Sequence, residues 1–327
     1  MSVSRREFVA GMAAVAASTK LHAQASATCP FHLSVINDEI SPDFEHACYV
    51  AAHDFGLSYI EIRSLWGTTL AALSDDQIKE MMTILAKYKL KVTDLASPLF
   101  KVDLPGAPKS KESAQHDNFN ASFVFKQQDE LLDKMIALAK TVGTDRIRCF
   151  DFWRLDDQKP YRAEINSKLI EAAEKCAKHD LILLLENEMA CNTGSGKEAL
   201  ETLNAIPNKN FMLNWDPGNS GTFEGDVPYP DDYDKLPKER IGHVHCKNVK
   251  RTPGAKRAFE WEPVDVGLID WVGQFKALNR NGYHHVVSLE THWRGGPGKT
   301  PEEIAEASSR ISMKGLKDCL AKANISC

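Results

Sequence analysis

Four short runs decide how this chain is read: LILLLEN at 181–187, FMLNWDPGN at 211–219, IGHVHCKN at 241–248 and HVVSLETH at 285–292. Each holds four to six mostly apolar or β-branched residues bounded by turn chemistry, the pattern of a strand buried on both faces. The segments between them are long enough to carry a crossover helix, so the strands read as parallel. Each run ends on a residue able to bind a metal: Glu186, Asp216, His245 and Glu290. In parallel sheets, ligands and catalytic groups collect at the carboxyl ends of the strands, because the loops there reach a common centre.

The rest of the chain continues the alternation. FHLSVIN (31–37) reads as a first strand, and Ser41-Pro42 opens a helix that stops at Gly56. YIEIR (59–63) is a second strand, and Ser74-Asp75-Asp76-Gln77 is a capping box for a helix running to Tyr88. LKVTDLA (90–96) is the third strand. The polar stretch from Ser97 to about Asn120, rich in Pro, Gly, Lys and Ser, predicts a long loop over the active face. A helix over about Ala121 to Val142 leads into RIRCFDFW (146–153), the fourth strand, followed by helices Glu164 to His179 and Glu198 to Ile206. A polar loop at 247–267, a helix from near Asp270, and a last helix opened by Thr300 and Pro301 complete the chain. Eight strands alternating with about eight helices, with no break in composition, predict a single α/β domain over 26–327, a (β/α)8 TIM barrel.

Composition sets the boundaries of function. The chain has 327 residues, 43% hydrophobic and 26% charged, enough for one large core. A formal net charge of -5 offers no general attraction to phosphate backbones, so nucleic acid is not expected as a partner. Beyond the N-terminus no apolar run reaches the roughly 18 residues of a membrane span. A homo-oligomer is compatible with the sequence.

Residues 1–25 read as an address rather than as fold. Ser4-Arg5-Arg6-Glu7-Phe8 precedes the apolar stretch VAGMAAVAA, and Ala23 and Ala25 form an A-x-A cleavage pattern. The paired arginines resemble a twin-arginine export signal, which implies a periplasmic or exported protein. That route is associated with proteins that fold around a cofactor before export, where Mn(II) need not outbid copper or zinc. Eight cysteines, Cys29, Cys48, Cys149, Cys176, Cys191, Cys246, Cys319 and Cys327, show no C-x-x-C pair or zinc-like spacing. An oxidising compartment permits disulfides, a core of this size does not need them, and the pairing is open.

The motifs LLLEN, LNWDPGN, HVHCKN, VGLIDW and SLETH, taken with the strand order, resemble the xylose isomerase-like TIM barrels over nearly the whole mature chain. That family includes sugar phosphate isomerases/epimerases, ketose 3-epimerases, hydroxypyruvate isomerases and inosose dehydratases. The resemblance implies that Glu186, Asp216, His245 and Glu290 hold one divalent metal. It also implies that Glu186 and Glu290 flank the substrate as a proton-removing and proton-returning pair. The family often places a histidine three residues after the Asp, where it helps bind substrate; this chain has Asn219 there.

The residue types suit that chemistry independently. Three carboxylates and an imidazole make a mostly hard site for Mn, with Mg, Co, Fe or Zn as alternatives. Such an ion polarises a carbonyl and its neighbouring hydroxyl, which acidifies the carbon-bound proton. Lys247, Asn219, Glu61, Arg148, His243 and Trp66 are candidate substrate contacts, with Glu61 and Arg148 also able to pair with each other. Phe100, Trp153 and His292 are candidate walls against sugar C–H faces. No glycine-rich phosphate grip follows the last two strands, so an unphosphorylated sugar, keto-sugar or cyclitol is expected. The leading reading is a metal-dependent isomerase or epimerase; the alternatives are a lyase or dehydratase on a 3-keto-glycoside or inosose, and a non-catalytic sugar-binding barrel.

Overall fold

The computed structural model describes residues 29–111, 124–252, 254 and 258–327. The expected signal at 1–25 lies outside the described residues. Eight strands form one sheet: β1 (His32–Val35), β2 (Tyr59–Ile62), β3 (Lys91–Leu99), β4 (Arg146–Cys149), β5 (Ile182–Glu186), β6 (Phe211–Trp215), β7 (Ile241–Cys246) and β8 (Val286–Leu289). Every neighbouring pair is parallel, in the order β1-β8-β7-β6-β5-β4-β3-β2. A parallel bridge between Ile36 and Glu61 joins the two end strands and closes the barrel. The single TIM barrel read from the sequence is the fold.

Among the described residues, seven α-helices of six residues or more cover the outside: α1 (Phe44–Tyr49), α2 (Asp75–Tyr88), α3 (Gln128–Val142), α4 (Arg162–Ala177), α5 (Gly196–Ala205), α6 (Trp271–Arg280) and α7 (Pro301–Lys322). Caps fix where several of them start. Ser74 accepts from the Gln77 N–H and Gln77 reaches back, as the capping box predicts, and Asp270 and Thr300 cap α6 and α7. Apolar side chains between sheet and helices form the core. In it Trp271 packs on Phe275 at 5.2 Å and donates from Nε1 to the Lys247 carbonyl (3.0 Å), tying α6 to the end of β7. No helix among the described residues is long and apolar enough to cross a membrane.

Several boundaries differ from the sequence reading, each for a local reason. Helix α1 is capped by Asp43, whose carboxylate accepts from the His46 N–H, rather than opened by Ser41; it runs into a π turn over Val50–Asp54. Strand β3 continues through Ser97–Leu99, because this stretch pairs with β4 (Leu99 with Cys149). Helix α3 starts at Gln128 behind a 3-10 turn at Phe125–Gln127. The expected polar loop at 247–267 holds an antiparallel hairpin, Asn248–Arg251 against Phe259–Glu262.

The chain's two ends are joined. Cys29, just before β1, is bonded to Cys327, just after α7, across a sequence separation of 298, and the other six cysteines are buried thiols. Closing so long a span restricts the unfolded chain by on the order of 5–6 kcal/mol in the loop-entropy account. The Cys29→Ser variant is therefore expected to melt about 5–10 °C below the wild type. Unreduced denatured protein should show only the thiols of the other six cysteines; eight free thiols with an unchanged Tm would remove the bridge.

At the opposite end of β8, His285 accepts from Arg146 Nη2 (3.2 Å). Burial first, and then the Arg146 charge, push its pKa down to about 4. The unfolded chain binds this proton near pH 6.5 and the folded chain does not, so stability is lost as pH falls from about 6.5 to about 4. Urea midpoints measured across that window should fall less steeply for His285→Gln than for the wild type; parallel slopes would contradict the assignment.

Candidate metal centre

The four strand ends named from sequence converge. Glu186 is the last residue of β5, Asp216 follows β6, His245 lies at the end of β7 and Glu290 follows β8. Each offers a ligand atom, and all four atoms lie within 4.8 Å of one another. The strand positions aim these groups at one point, and the loops then lock them. Asp216 caps the turn Pro217–Ser220 by accepting from the Asn219 N–H (2.8 Å), while Asn187 accepts from the Asp216 N–H and donates to its carbonyl (both 2.8 Å).

Around the four is a set of buried counter-charges. Arg148 donates to Glu186 Oε2 (2.9 Å), and Asn219 Nδ2 to Glu186 Oε1 (3.3 Å). Arg63 donates to Glu290 Oε1 (3.2 Å), Glu39 (2.7 Å) and Asp38 (3.0 Å). The Lys247 ammonium lies 2.8 Å from Asp216 Oδ2 and 2.5 Å from Glu290 Oε2. Burial alone would raise the glutamates, but Arg148 and His245 outweigh it at Glu186 and hold it at about 2. Lys247, with His292 and His245, does the same at Glu290, which sits well below its usual range. Asp216 moves the other way: burial raises it despite Lys247. Burial would lower Lys247, but Asp216 and Glu290 raise it, so it is held as the ammonium ion.

These residues fit a divalent cation. Six carboxylates of the barrel interior and its mouth, Glu39, Glu61, Asp94, Glu186, Asp216 and Glu290, are buried against three buried cations, Arg63, Arg148 and Lys247. Asp216 Oδ2 is buried with no hydrogen bond, since Lys247 approaches it without hydrogen-bond geometry. Oxygen donors short of positive charge, with one imidazole nitrogen among them, suit a hard or borderline ion.

The other expected contacts divide into those near the four ligands and those away from them. Lys247, Asn219 and Arg148 each touch a ligand carboxylate. Glu61 and Arg148 do not pair with each other; Glu61 bonds His243 and His245 one layer deeper, and both Glu61 and His243 are 0% exposed. Trp66 packs edge-on against Phe44, and Phe100 packs on Phe152 within the core. Trp153 lies beside Lys101, whose Nζ also sits over Phe150. His292 stands at the mouth, with Nε2 3.4 Å from Glu290 Oε1.

Two functional groups were missed. Arg63 was read only as the end of YIEIR; its position at a strand end was the available signal. Trp261, on the hairpin after β7, covers Lys247 with its ring (5.0 Å) and meets His292 edge to face (5.0 Å). No periodicity in 247–267 announced that hairpin.

The profile of the xylose isomerase-like TIM barrel family matches residues 50–316, and the chain belongs to that family. Solved structures agree in fold at low identity. A probable 3-DHS dehydratase involved in petrobactin synthesis from Bacillus anthracis is 19% identical, covering 87% of this chain and 98% of that chain with a TM-score of 0.63. A xylose isomerase-like TIM barrel protein from Mycobacterium smegmatis in complex with magnesium is 18% identical (90% and 98% covered, TM-score 0.60). A D-psicose 3-epimerase from Clostridium cellulolyticum H10, with D-tagatose, is 15% identical (90% and 98% covered, TM-score 0.60). No curated protein matches the sequence significantly.

Protein stripped with chelator and titrated with Mn(II) or Mg(II) is expected to take up a single ion per chain. Asp216→Asn should weaken that binding by about 100-fold or more, as loss of a charged ligand does. Calorimetry showing equal affinity in the two proteins would mean that the ion sits elsewhere.

Proposed function

We propose that this protein is a divalent-metal-dependent sugar isomerase or epimerase that moves a proton next to a carbonyl on an unphosphorylated sugar, keto-sugar or cyclitol. The observation carrying this reading is the meeting of Glu186 and Glu290, from strands β5 and β8, with Asp216 and His245 inside one 4.8 Å cluster. A bound ion would supply Lewis-acid polarisation of a carbonyl and the hydroxyl beside it. Mn(II) is the favoured ion, with Mg, Co, Fe or Zn as alternatives for this donor set.

The chain's own groups do the rest. Glu186 and Glu290 are both ionised at neutral pH, so either can accept a carbon-bound proton. Their depressed basicity means that the carbon acid must itself be activated. Lys247, an ammonium group beside Glu290, donates a hydrogen bond to oxygen as negative charge develops there. Arg148 and Arg63 hold the two glutamates in place from behind. Trp261 shields this apparatus from water.

A second reading is elimination, in which Lys247 protonates a departing β-oxygen after the same proton abstraction. Its support is the closeness of that ammonium to Glu290, together with the probable dehydratase among the structural neighbours. A periplasmic or exported location is part of the proposal. It is supported by the N-terminal Arg5-Arg6 pattern and by the Cys29–Cys327 bridge, which suits an oxidising compartment.

Metal-loaded protein incubated in D2O with a panel of ketohexoses and keto-cyclitols should incorporate deuterium next to the carbonyl with the carbon skeleton retained. Release of water or an aglycone would select elimination. Glu290→Gln and Glu186→Gln should each lower kcat by about 10²–10⁴-fold, the usual range for a lost proton-transfer group, with an unchanged circular dichroism spectrum. Near-normal turnover in either variant would remove the paired-glutamate mechanism, and absence of any exchange would favour a non-catalytic barrel.

A further inference from the structure

We infer that Glu61 is a positioning residue that sets which nitrogen of His245 faces the metal ligands. The inference rests on the metal centre proposed above and concerns a residue outside its ligand set. His245 points its two ring nitrogens in opposite directions. Nδ1 lies 3.3 Å from Glu186 Oε1, 3.4 Å from Glu290 Oε2 and 3.7 Å from Asp216 Oδ2, so it belongs to the ligand cluster. Nε2 faces away from that cluster, 3.0 Å from Glu61 Oε1. A carboxylate can only accept a hydrogen bond there, so Nε2 keeps its proton, and an ion entering the ligand cluster would take the place of any proton on Nδ1 and use that lone pair.

The fold places Glu61 for this task from the far side of the barrel. It sits in β2, where its own bridge with Ile36 closes the ring, and opposite an irregularity in β3 where Ile60 pairs with Val92 but Ile62 with Leu95. That extra residue in β3 turns Asp94 inward beneath the histidines, as bulges re-aim side chains. The second oxygen of Glu61 is taken by His243 Nε2 (3.1 Å), and the two imidazoles stand nearly perpendicular at 5.3 Å. Glu61 thus holds both inward-facing histidines of β7 with one carboxylate, and every member is 0% exposed. In this dry layer no water can substitute for a lost acceptor.

One neighbour competes for the same nitrogen. Asn214 Nδ2 lies 3.1 Å from Nε2 and 3.4 Å from Nδ1 of His245. It is shared almost equally between the two nitrogens, whereas Glu61 Oε1 approaches Nε2 alone, at 3.0 Å, and as an ionised carboxylate is the stronger partner for an N–H there. The alternative is that Glu61, His243 and His245, each with a ligand atom within 4.8 Å of the others, hold an ion of their own. Their 3.0 and 3.1 Å contacts are hydrogen-bond distances.

The test uses full-length protein with 15N-labelled histidine. A downfield, slowly exchanging Nε2–H resonance of His245 is expected in the wild type, and Zn(II) loading should shift Nδ1 alone. Glu61→Leu should lose that resonance and bind metal 10–100-fold more weakly, while Glu61→Gln, which keeps a carbonyl acceptor, should recover most of the affinity. Unchanged affinity in Glu61→Leu would overturn the inference. So would a wild-type His245 lacking Nε2–H, or a metal content that drops from two ions to one on replacing Glu61. If Glu61→Leu fails to fold, the wild-type spectrum and Glu61→Gln still decide. A wild type that takes up no ion would sink the function proposed above, yet the Nε2–H resonance, which does not depend on the ion, would still be present or absent.

Discussion

The mouth of this barrel buries more negative charge than its own cations neutralise, and the surrounding structure answers that imbalance. Removing an ionised carboxylate from water carries an effective penalty of several kcal/mol unless it is paired and hydrogen-bonded. Five of the six carboxylates accordingly have an assigned partner: Arg148 for Glu186, Arg63 and Lys247 for Glu290, Arg63 for Glu39, Lys247 for Asp216, and the two histidines for Glu61. Even so, the anions remain in excess, and Asp216 Oδ2 is left without a hydrogen bond. A divalent cation is the simplest species that completes such a set.

The closed sheet is what makes this arrangement affordable to hold still. Strand β7 contributes His243 and His245, and Lys247 follows directly after its end, at a spacing of two residues, so one stretch supplies three successive layers of the interior. The deepest layer, with Glu61, His243 and Asp94, is dry and orients. The middle layer carries the four groups that could hold an ion. The upper layer, with Lys247 under Trp261 and His292, meets whatever enters. Rigid strands below and variable loops above are the general division in such barrels. It is consistent with a fold shared with structures of 15–19% identity.

How much of this was legible in the sequence follows from the range of each interaction. Strand ends could be located because a doubly buried strand shows as a short apolar run, and because turn residues such as Pro217-Gly218 mark where it stops. The Ser74 capping box was legible because cap and partner lie three residues apart. Arg63 was not, because its partners come from two distant segments, the short helix Asn37–Ile40 that holds Asp38 and Glu39, and the end of β8 that holds Glu290, 227 residues away. The hairpin carrying Trp261 was hidden by its polar composition, since a two-stranded ribbon over an active face has no doubly buried run to betray it.

By itself, then, the sequence determined the alternation of strands and helices, the barrel they close into, and the four strand-end residues at its mouth. These depend on local periodicity and on the fact that parallel strands present their carboxyl ends on one side. Only the tertiary structure decided that Glu61 serves the histidines rather than Arg148, that Lys247 lies between Asp216 and Glu290, that Trp261 and not Trp66 reaches the site, and that Cys29 pairs with Cys327. Those choices turn on contacts between residues far apart in the chain, where neither spacing nor residue type distinguishes one partner from another until the ring is closed.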